Sequence, residues 1–345
     1  MKDFLGHRIR LFGSFSGIFS LVGMITLLAL MPLLSTGALA AAPKVTVNYG
    51  GSSWLGHLPI MVAIERGMFR EAGFDVTFSS MASYERMTGI AGGRLDITQT
   101  GVSSVIGSMA QNFQNFVVVG TCDQVFGFEG MVAKADFPTI ESLRGKRIGV
   151  QPNSSAEITT FLLLKDHGLR YGKDVEIINM NASDSIASLA RGSVDAATAW
   201  EPYLSQLQDL PNTVLLGRET DTEPFKKYGL QISGNLIVLR KEFVEQNPAN
   251  ATKFLKVMLD AAKWVTANRA KAVRLAIQRG YVKQTFEKLL PLAERFSYIT
   301  DPNKMISEDL FDVLDVQISV YDELGKIPTH VDPRPWFRQD LLPRE

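Results

Sequence analysis

The chain has 345 residues, of which 36 are basic and 36 acidic, with four histidines and a single cysteine. A formal net charge of zero leaves no electrostatic footprint for nucleic acid or a charged membrane surface, and one cysteine excludes an internal disulfide. A chain this long exceeds one small core, so two lobes are expected.

In chain order, Lys2, His7, Arg8 and Arg10 come first, and no charge follows until after Pro43. Within that run, "LVGMITLLALMPLL" (21–34) is strongly apolar, and "ALAA" places Ala38 and Ala40 around a cut after Ala40. A basic start, an apolar centre and an A-x-A end predict a secretory signal over 1–40. The run is also long enough to span a bilayer as a retained anchor, but the A-x-A site favours cleavage. There is no Arg-Arg pair for a twin-arginine route. The leader takes three basic residues and one acidic residue, leaving 33 and 35.

After the leader, strands and helices alternate. "KVTVNYG" (44–50), "FDVTFSS" (74–80), "LDITQTG" (95–101) and "FVVVGT" (116–121) read as strands. Between them, 58–69, 84–93 and 102–112 read as helices. A second cycle starts near Val132. In it, 140–150 gives a short helix and then a strand ending at Val150, with further strands at 174–180, 194–200 and 213–217, and helices at 154–168, 183–192 and 201–210. Ser154 or Ser155 suits a helix cap, and Pro202 an early helical position. One more strand follows at 230–239. From Lys241 the chain becomes helical, through 250–268 and 308–325, and is expected to pack on the first lobe, with "PTHVDPRPWF" (328–337) as a polar end segment. This rhythm predicts an α/β protein with parallel sheets and crossover helices.

The two cycles share a signature. "AGGRLDI" (91–97) and "ARGSVDA" (190–196) both read A-x-G-x-[LV]-D, which puts Asp96 and Asp195 at matched, structural places. Two lobes on one plan follow. Ligands of open α/β sheets lie beyond the carboxyl ends of strands. There the repeat places Gly101, Ser103 and Ser104 in one lobe, and Trp200 and Glu201 in the other. Helix N-termini at such ends favour anions.

No phosphate-loop, dinucleotide, zinc-protease or nucleophile-elbow motif occurs, so no cofactor is expected. His7, His57, His167 and His330 lack metal-ligand spacing, and Cys122 reads as a buried thiol. Four elements are left as candidate binding elements: "GGSSWLGHLP" (50–59), "TGVSS" (100–104), "PNSSAE" (152–157) and "WEP" (200–202). The second and third serve equally well as plain helix caps.

These residues resemble the periplasmic substrate-binding proteins of ABC importers for taurine, alkanesulfonates and nitrate, together with related thiamine-precursor binders. The carrying stretches are "GHLPIMVAIERGMFREAGFDV", "AGGRLDITQTGVSS", "LRGKRIGVQPNSSAEITTFLL" and "SVDAATAWEPY". The resemblance implies a two-lobe, type II-like periplasmic-binding-protein fold with a ligand cleft between lobes, two hinge crossovers and closure on ligand. Lobe 1 would comprise 41–131 and 234–345, lobe 2 would be 132–233, and the crossovers would lie near 130–132 and 233–236. Carried over by motif, the ligand contacts would be Ser53, Trp54, His57, Gly101, Ser103, Ser154, Ser155, Trp200 and Glu201. No arginine or lysine falls within these motifs.

The expected function is therefore solute capture for an ABC permease and ATPase by a monomer that is not an enzyme and binds no nucleic acid. A zwitterion such as taurine would set its acid group on helix starts and its amine on Glu201, with Trp200 or Trp54 on its middle. A pyrimidine or aromatic acid against the tryptophans and Phe126 or Phe128 is the alternative. An enzyme using Glu201 as base, or a sensor subunit, would use the same scaffold.

Overall fold

The computed structural model describes residues 44–229, 234–328 and 330–344. The expected leader, its cleavage site and part of the expected 230–239 strand lie outside them.

Two five-stranded sheets form the frame. The first half contains β1 (Val45–Gly51), α1 (Leu58–Glu65), α2 (Met68–Glu71), β2 (Phe74–Ser80), α3 (Ser83–Ala91), β3 (Ile97–Gly101), α4 (Val102–Ala110) and β4 (Phe116–Thr121). The second contains β5 (Glu129–Lys134), β6 (Arg147–Val150), α5 (Ser155–Asp166), β7 (Glu176–Asn179), α6 (Ala182–Arg191), β8 (Ala196–Trp200), α7 (Tyr203–Gln208) and β9 (Thr213–Arg218). Then follow α8 (Glu223–Tyr228), β10 (Asn235–Arg240), α9 (Lys241–Gln246), α10 (Pro248–Ala267), α11 (Arg269–Gln278), α12 (Phe286–Arg295) and α13 (Glu308–Glu323). One sheet runs β2-β1-β3-β10-β4 and the other β7-β6-β8-β5-β9. In each, the first three strands are parallel and the fourth is antiparallel to its neighbours.

The matched aspartates do matched work. The Asn48 backbone N–H donates to Asp96 Oδ2 at 2.8 Å, and Arg240 Nη2 to Asp96 Oδ1 at 2.6 Å. In the second sheet, the Arg147 backbone N–H donates to Asp195 Oδ2 at 3.0 Å, and Lys134 approaches Oδ1 at 3.6 Å. Each carboxylate thus ties the start of the third strand in the sheet order to the second strand (β3 to β1, β8 to β6), and to the basic residue that ends the antiparallel fourth. The same register follows: Tyr49 faces Ile97 as Ile148 faces Ala196.

Several expectations are corrected. The strand β5 was not anticipated, and it pairs with β8 and β9 over its length. The first crossover therefore lies at 122–128, not at 130–132, and a boundary at 131 would cut a strand. Pro202 caps α7 instead of starting it. The polar end segment is laid on the first sheet, where Val118 bridges Phe337 and Trp336 Nε1 donates to the Phe113 carbonyl at 2.9 Å. The helical tail also reaches the second half: α10 packs on α1, but α13 touches α4 on one side and α5 and α8 on the other. Phe311, Leu314 and Ile318 of α13 share one core with Val105 of α4 and Ile158 of α5.

Asp96→Ala should lower stability by about 2–4 kcal/mol, because it takes the acceptor from the Asn48 N–H and the more buried of the two carboxylates from Arg240, leaving only the exposed Glu242. Asp195→Ala should cost less, since Arg147 and Lys134 are more exposed. Urea unfolding of both variants gives the order; equal losses would contradict it.

Candidate functional site

A cavity of about 70 Å³ lies where the two sheets face each other. Several water-sized groups fit that volume, which suits a small ligand. Its lining comes from the segments after β1 and β6, the ends of β3 and β8, and the starts of α3, α4 and α5, the first of which follows β2: Ser52, Trp54, Ser83, Arg86, Gly101, Ser104, Asn153, Ser154, Ser155 and Trp200. The first crossover adds Phe128, the start of β5 adds Glu129, and the start of β10 adds Asn235.

The helix starts are partly open: the first N–H of α4, on Val102, donates to the Gly234 carbonyl at 3.1 Å, and the Glu157 N–H of α5 to the Ser154 carbonyl at 3.2 Å, which leaves the other first-turn N–H groups of each. Gly101 stands at the cap of α4 and has no side chain to bond the first N–H groups. Ser154 holds the cap position of α5, as expected, but its hydroxyl donates to the Gln151 carbonyl at 2.7 Å and caps nothing. The first N–H groups of a helix have no partner within it, so both termini keep donors and positive dipole ends for the cavity. Ser104 Oγ is buried and has no hydrogen-bond partner among the described residues.

Arg86 supplies a full positive charge. It is 4 % exposed. Its Nη2 donates to Ser83 Oγ at 2.6 Å and its Nη1 to the Met81 carbonyl at 3.3 Å, while Nε has no partner. Among the described residues it forms no ion pair. Burial pulls its guanidinium down to about 10, so it stays charged at neutral pH. Behind it, Nη1 lies 3.4 Å from His57 Nε2, and His57 Nδ1 lies 3.0 Å from the Tyr49 hydroxyl. Arginine only donates, so Nε2 accepts and Nδ1 carries the proton. Burial, and then the Arg86 charge, hold His57 well below its ordinary value and hence neutral.

Glu129 supplies the opposite group. It is 2 % exposed, and its carboxyl accepts from the Ser155 and Thr159 hydroxyls. Glu219 lies behind it and accepts the backbone N–H groups of Phe128 and Glu129 at 2.9 and 3.0 Å. Burial pushes Glu129 up to about 8, with the nearby Glu219 carboxylate adding to the rise and the two hydroxyls opposing it. Under Trp54, Asp123 accepts from Gln99 Nε2 at 2.7 Å, and burial pushes it up to about 7. Gly56 permits this packing: a Cβ there would lie 2.5 Å from the Trp54 indole nitrogen and 2.6 Å from Asp123 Oδ2.

Of the residues expected from sequence, Trp54, Gly101, Ser154, Ser155 and Trp200 line the cavity. Ser53 and Glu201 line an adjoining recess that shares Trp54, Arg86 and Trp200 with it. The Glu201 carboxylate accepts the Ser205 N–H at 3.1 Å and so caps α7. His57 lies behind Arg86. Ser103 faces Tyr321 on α13, because neighbouring helical positions point about 100° apart and Ser104 takes the cavity side. Sequence reasoning missed Arg86 and Glu129. Both left a trace: Arg86 lies on the same helical face as Ile90, a core position, and Glu129 opens the apolar run of a buried strand.

Two open α/β sheets meeting over a cleft of helix starts define the periplasmic-binding-protein architecture. The periplasmic aliphatic sulphonate binding protein SsuA from Escherichia coli has this fold: it superposes with a TM-score of 0.72 at 18% identity, over 86% of this chain and 99% of that one. The model of the "NMT1/THI5 like" family matches residues 54–272, and the chain belongs to that family. The taurine-binding periplasmic protein of Escherichia coli is 31% identical over 247 residues, 70% of this chain and 72% of the relative. The Saccharomyces cerevisiae 4-amino-5-hydroxymethyl-2-methylpyrimidine phosphate synthase THI13 is 25% identical over 229 residues, 63% of this chain and 65% of that protein. The chain's relatives thus include a binding protein and an enzyme. Among the described residues, no helix is long and apolar enough to cross a membrane.

The raised carboxyls set a pH dependence. A native carboxyl that holds its proton to about 8 binds more protons than the unfolded chain above its ordinary value near 4.5. Stability then falls as pH rises between those values, by up to about 1.4 kcal/mol per pH unit for each such proton. Unliganded protein should melt lower at pH 8 than at pH 5.5, and Glu129→Gln should flatten the slope. An unchanged slope in that variant would place the linkage on Asp123 and Glu219 alone.

Proposed function

We propose that the protein is the periplasmic solute-binding component of an ABC importer, exported by its leader, and that it captures a small organic anion or zwitterion of the taurine or alkanesulfonate kind. The observation that carries the reading is Arg86, a buried cation without an ion-pair partner among the described residues, which lines one cavity with the starts of α4 and α5. A buried charge is costly until it is paired. A sulfonate offers three acceptor oxygens, which match the guanidinium, the free N–H groups of α4 and α5 and the Ser104 hydroxyl. The names of the sulphonate- and taurine-binding relatives agree with this chemistry.

In this reading the two halves are lobes that close about the crossovers at 122–128 and between Arg218 and Asn235. The closed form is then delivered to permease and ATPase subunits. Ser53 and Glu201 belong to the mouth of the site, and His57 and Ser103 support it from behind. The protein binds and releases its ligand unchanged. A second reading, a pyrimidine-like ring, is favoured by the aromatic walls of Trp54, Phe128 and Trp200.

A thermal-shift panel of taurine, ethanesulfonate, nitrate, a hydroxymethylpyrimidine and an aromatic carboxylate tests the choice. A true ligand at about 100 times its dissociation constant adds about 2.7 kcal/mol of stability. A rise with sulfonates upholds the first reading, and a rise with rings alone upholds the second. Arg86→Met should weaken a sulfonate by about 2–4 kcal/mol while leaving the unliganded melting temperature unchanged or higher, since it removes an unpaired buried charge. Undiminished sulfonate affinity in that variant would take Arg86 out of the site.

A further inference from the structure

We infer that the cavity selects ligands carrying an acid group and an ammonium on one short chain, with Arg86 taking the acid and Glu129 the ammonium. This rests on the anion-binding reading of the same cavity and narrows its ligand class. Arg86 and Glu129 are both buried and line one small cavity: one is a cation, the other a carboxyl that becomes its opposite once a bound cation draws off its proton. Among the described residues neither has an ion-pair partner, and they do not pair with each other.

That combination is electrostatically incomplete in a specific way. A simple anion would compensate Arg86 and leave a carboxyl facing it across the cavity. A simple amine would do the reverse. A zwitterion completes both, and each end gains a charge-assisted hydrogen bond in surroundings of low dielectric. Glu129 is also held ready. Hydroxyls of Ser155 and Thr159 fix its carboxyl, and Glu219 grips its backbone N–H at 3.0 Å. Little ordering remains to be done when an ammonium arrives. Trp54 and Trp200 give the short chain between the charged ends an apolar surface. The carboxyl pushed up by burial is consistent with a group that awaits a cation. Glu201, the carboxylate that sequence reasoning offered for this role, spends an oxygen on the α7 start outside the cavity.

Titration calorimetry with taurine, ethanesulfonate and β-alanine tests this. The wild-type protein should bind taurine roughly 10- to 100-fold more tightly than ethanesulfonate, the span expected for a hydrogen bond to a charged group. Glu129→Gln should erase that preference by weakening taurine and not ethanesulfonate. Thr159→Val, which frees one side of the carboxyl, should reduce it by a smaller factor and serves if Glu129→Gln does not fold. Equal binding of taurine and ethanesulfonate to wild type would overturn the inference and leave the anion reading standing. So would a preference that survives both substitutions, for it would remove Glu129 from the role. Binding of β-alanine with failure of both sulfonates would uphold the two-ended selection and defeat the sulfonate reading. Failure of all three would defeat both.

Discussion

The ladder between the second and third strands of each sheet, β1 with β3 and β6 with β8, is locked by a carboxylate. Asp96 grips the Asn48 N–H and Arg240, and Asp195 grips Arg147 and Lys134. These locks set where β3 and β8 begin, and hence where they end. Their ends deliver Gly101 and Ser104 from one side and Trp200 from the other to one cavity. A one-residue slip would turn every side chain of those strands to the other face and take the site apart. The position of the binding groups thus depends on two carboxylates at the far ends of the strands.

The cavity itself is built against stability. Among the described residues Arg86 is buried without a counter-charge, Glu129 is pushed up by burial, and two helix starts lack side-chain caps. Each feature costs free energy in the empty protein, and a ligand that completes them recovers it. Neutral His57, held between Tyr49 and Arg86, keeps the guanidinium aimed without lending it a compensating charge. The rest of the fold offsets this cost through large apolar clusters on both sides of the first sheet and around the second.

The halves are also joined away from the cavity. Helix α13 lies against α4 of the first half and α5 and α8 of the second. Just beyond it, Lys326 reaches the buried Glu157 of α5 at 2.6 Å, and the same Glu157 accepts the Asn153 N–H at 2.8 Å. Asn153 lines the cavity. The C-terminal helices therefore do more than cover the first sheet: they brace the α5 start on which the site draws.

The sequence by itself determined the strand–helix rhythm, the doubling of the plan and the strand ends and helix starts where a ligand would lie. Those features are local: periodicity, glycine stops and a repeated A-x-G-x-[LV]-D reflect short-range backbone chemistry. Trp54, Gly101, Ser154, Ser155 and Trp200 were legible because motif and strand end coincide at them. Only the tertiary structure decided which charges enter the cavity. Arg86 and Glu129 are 43 positions apart in the chain, one on a helix that reads as charged surface, the other opening a strand that periodicity did not reveal. Whether a carboxyl lines the cavity or caps a helix, as separates Glu129 from Glu201, depends on burial and on partners distant in sequence, and no local pattern encodes those.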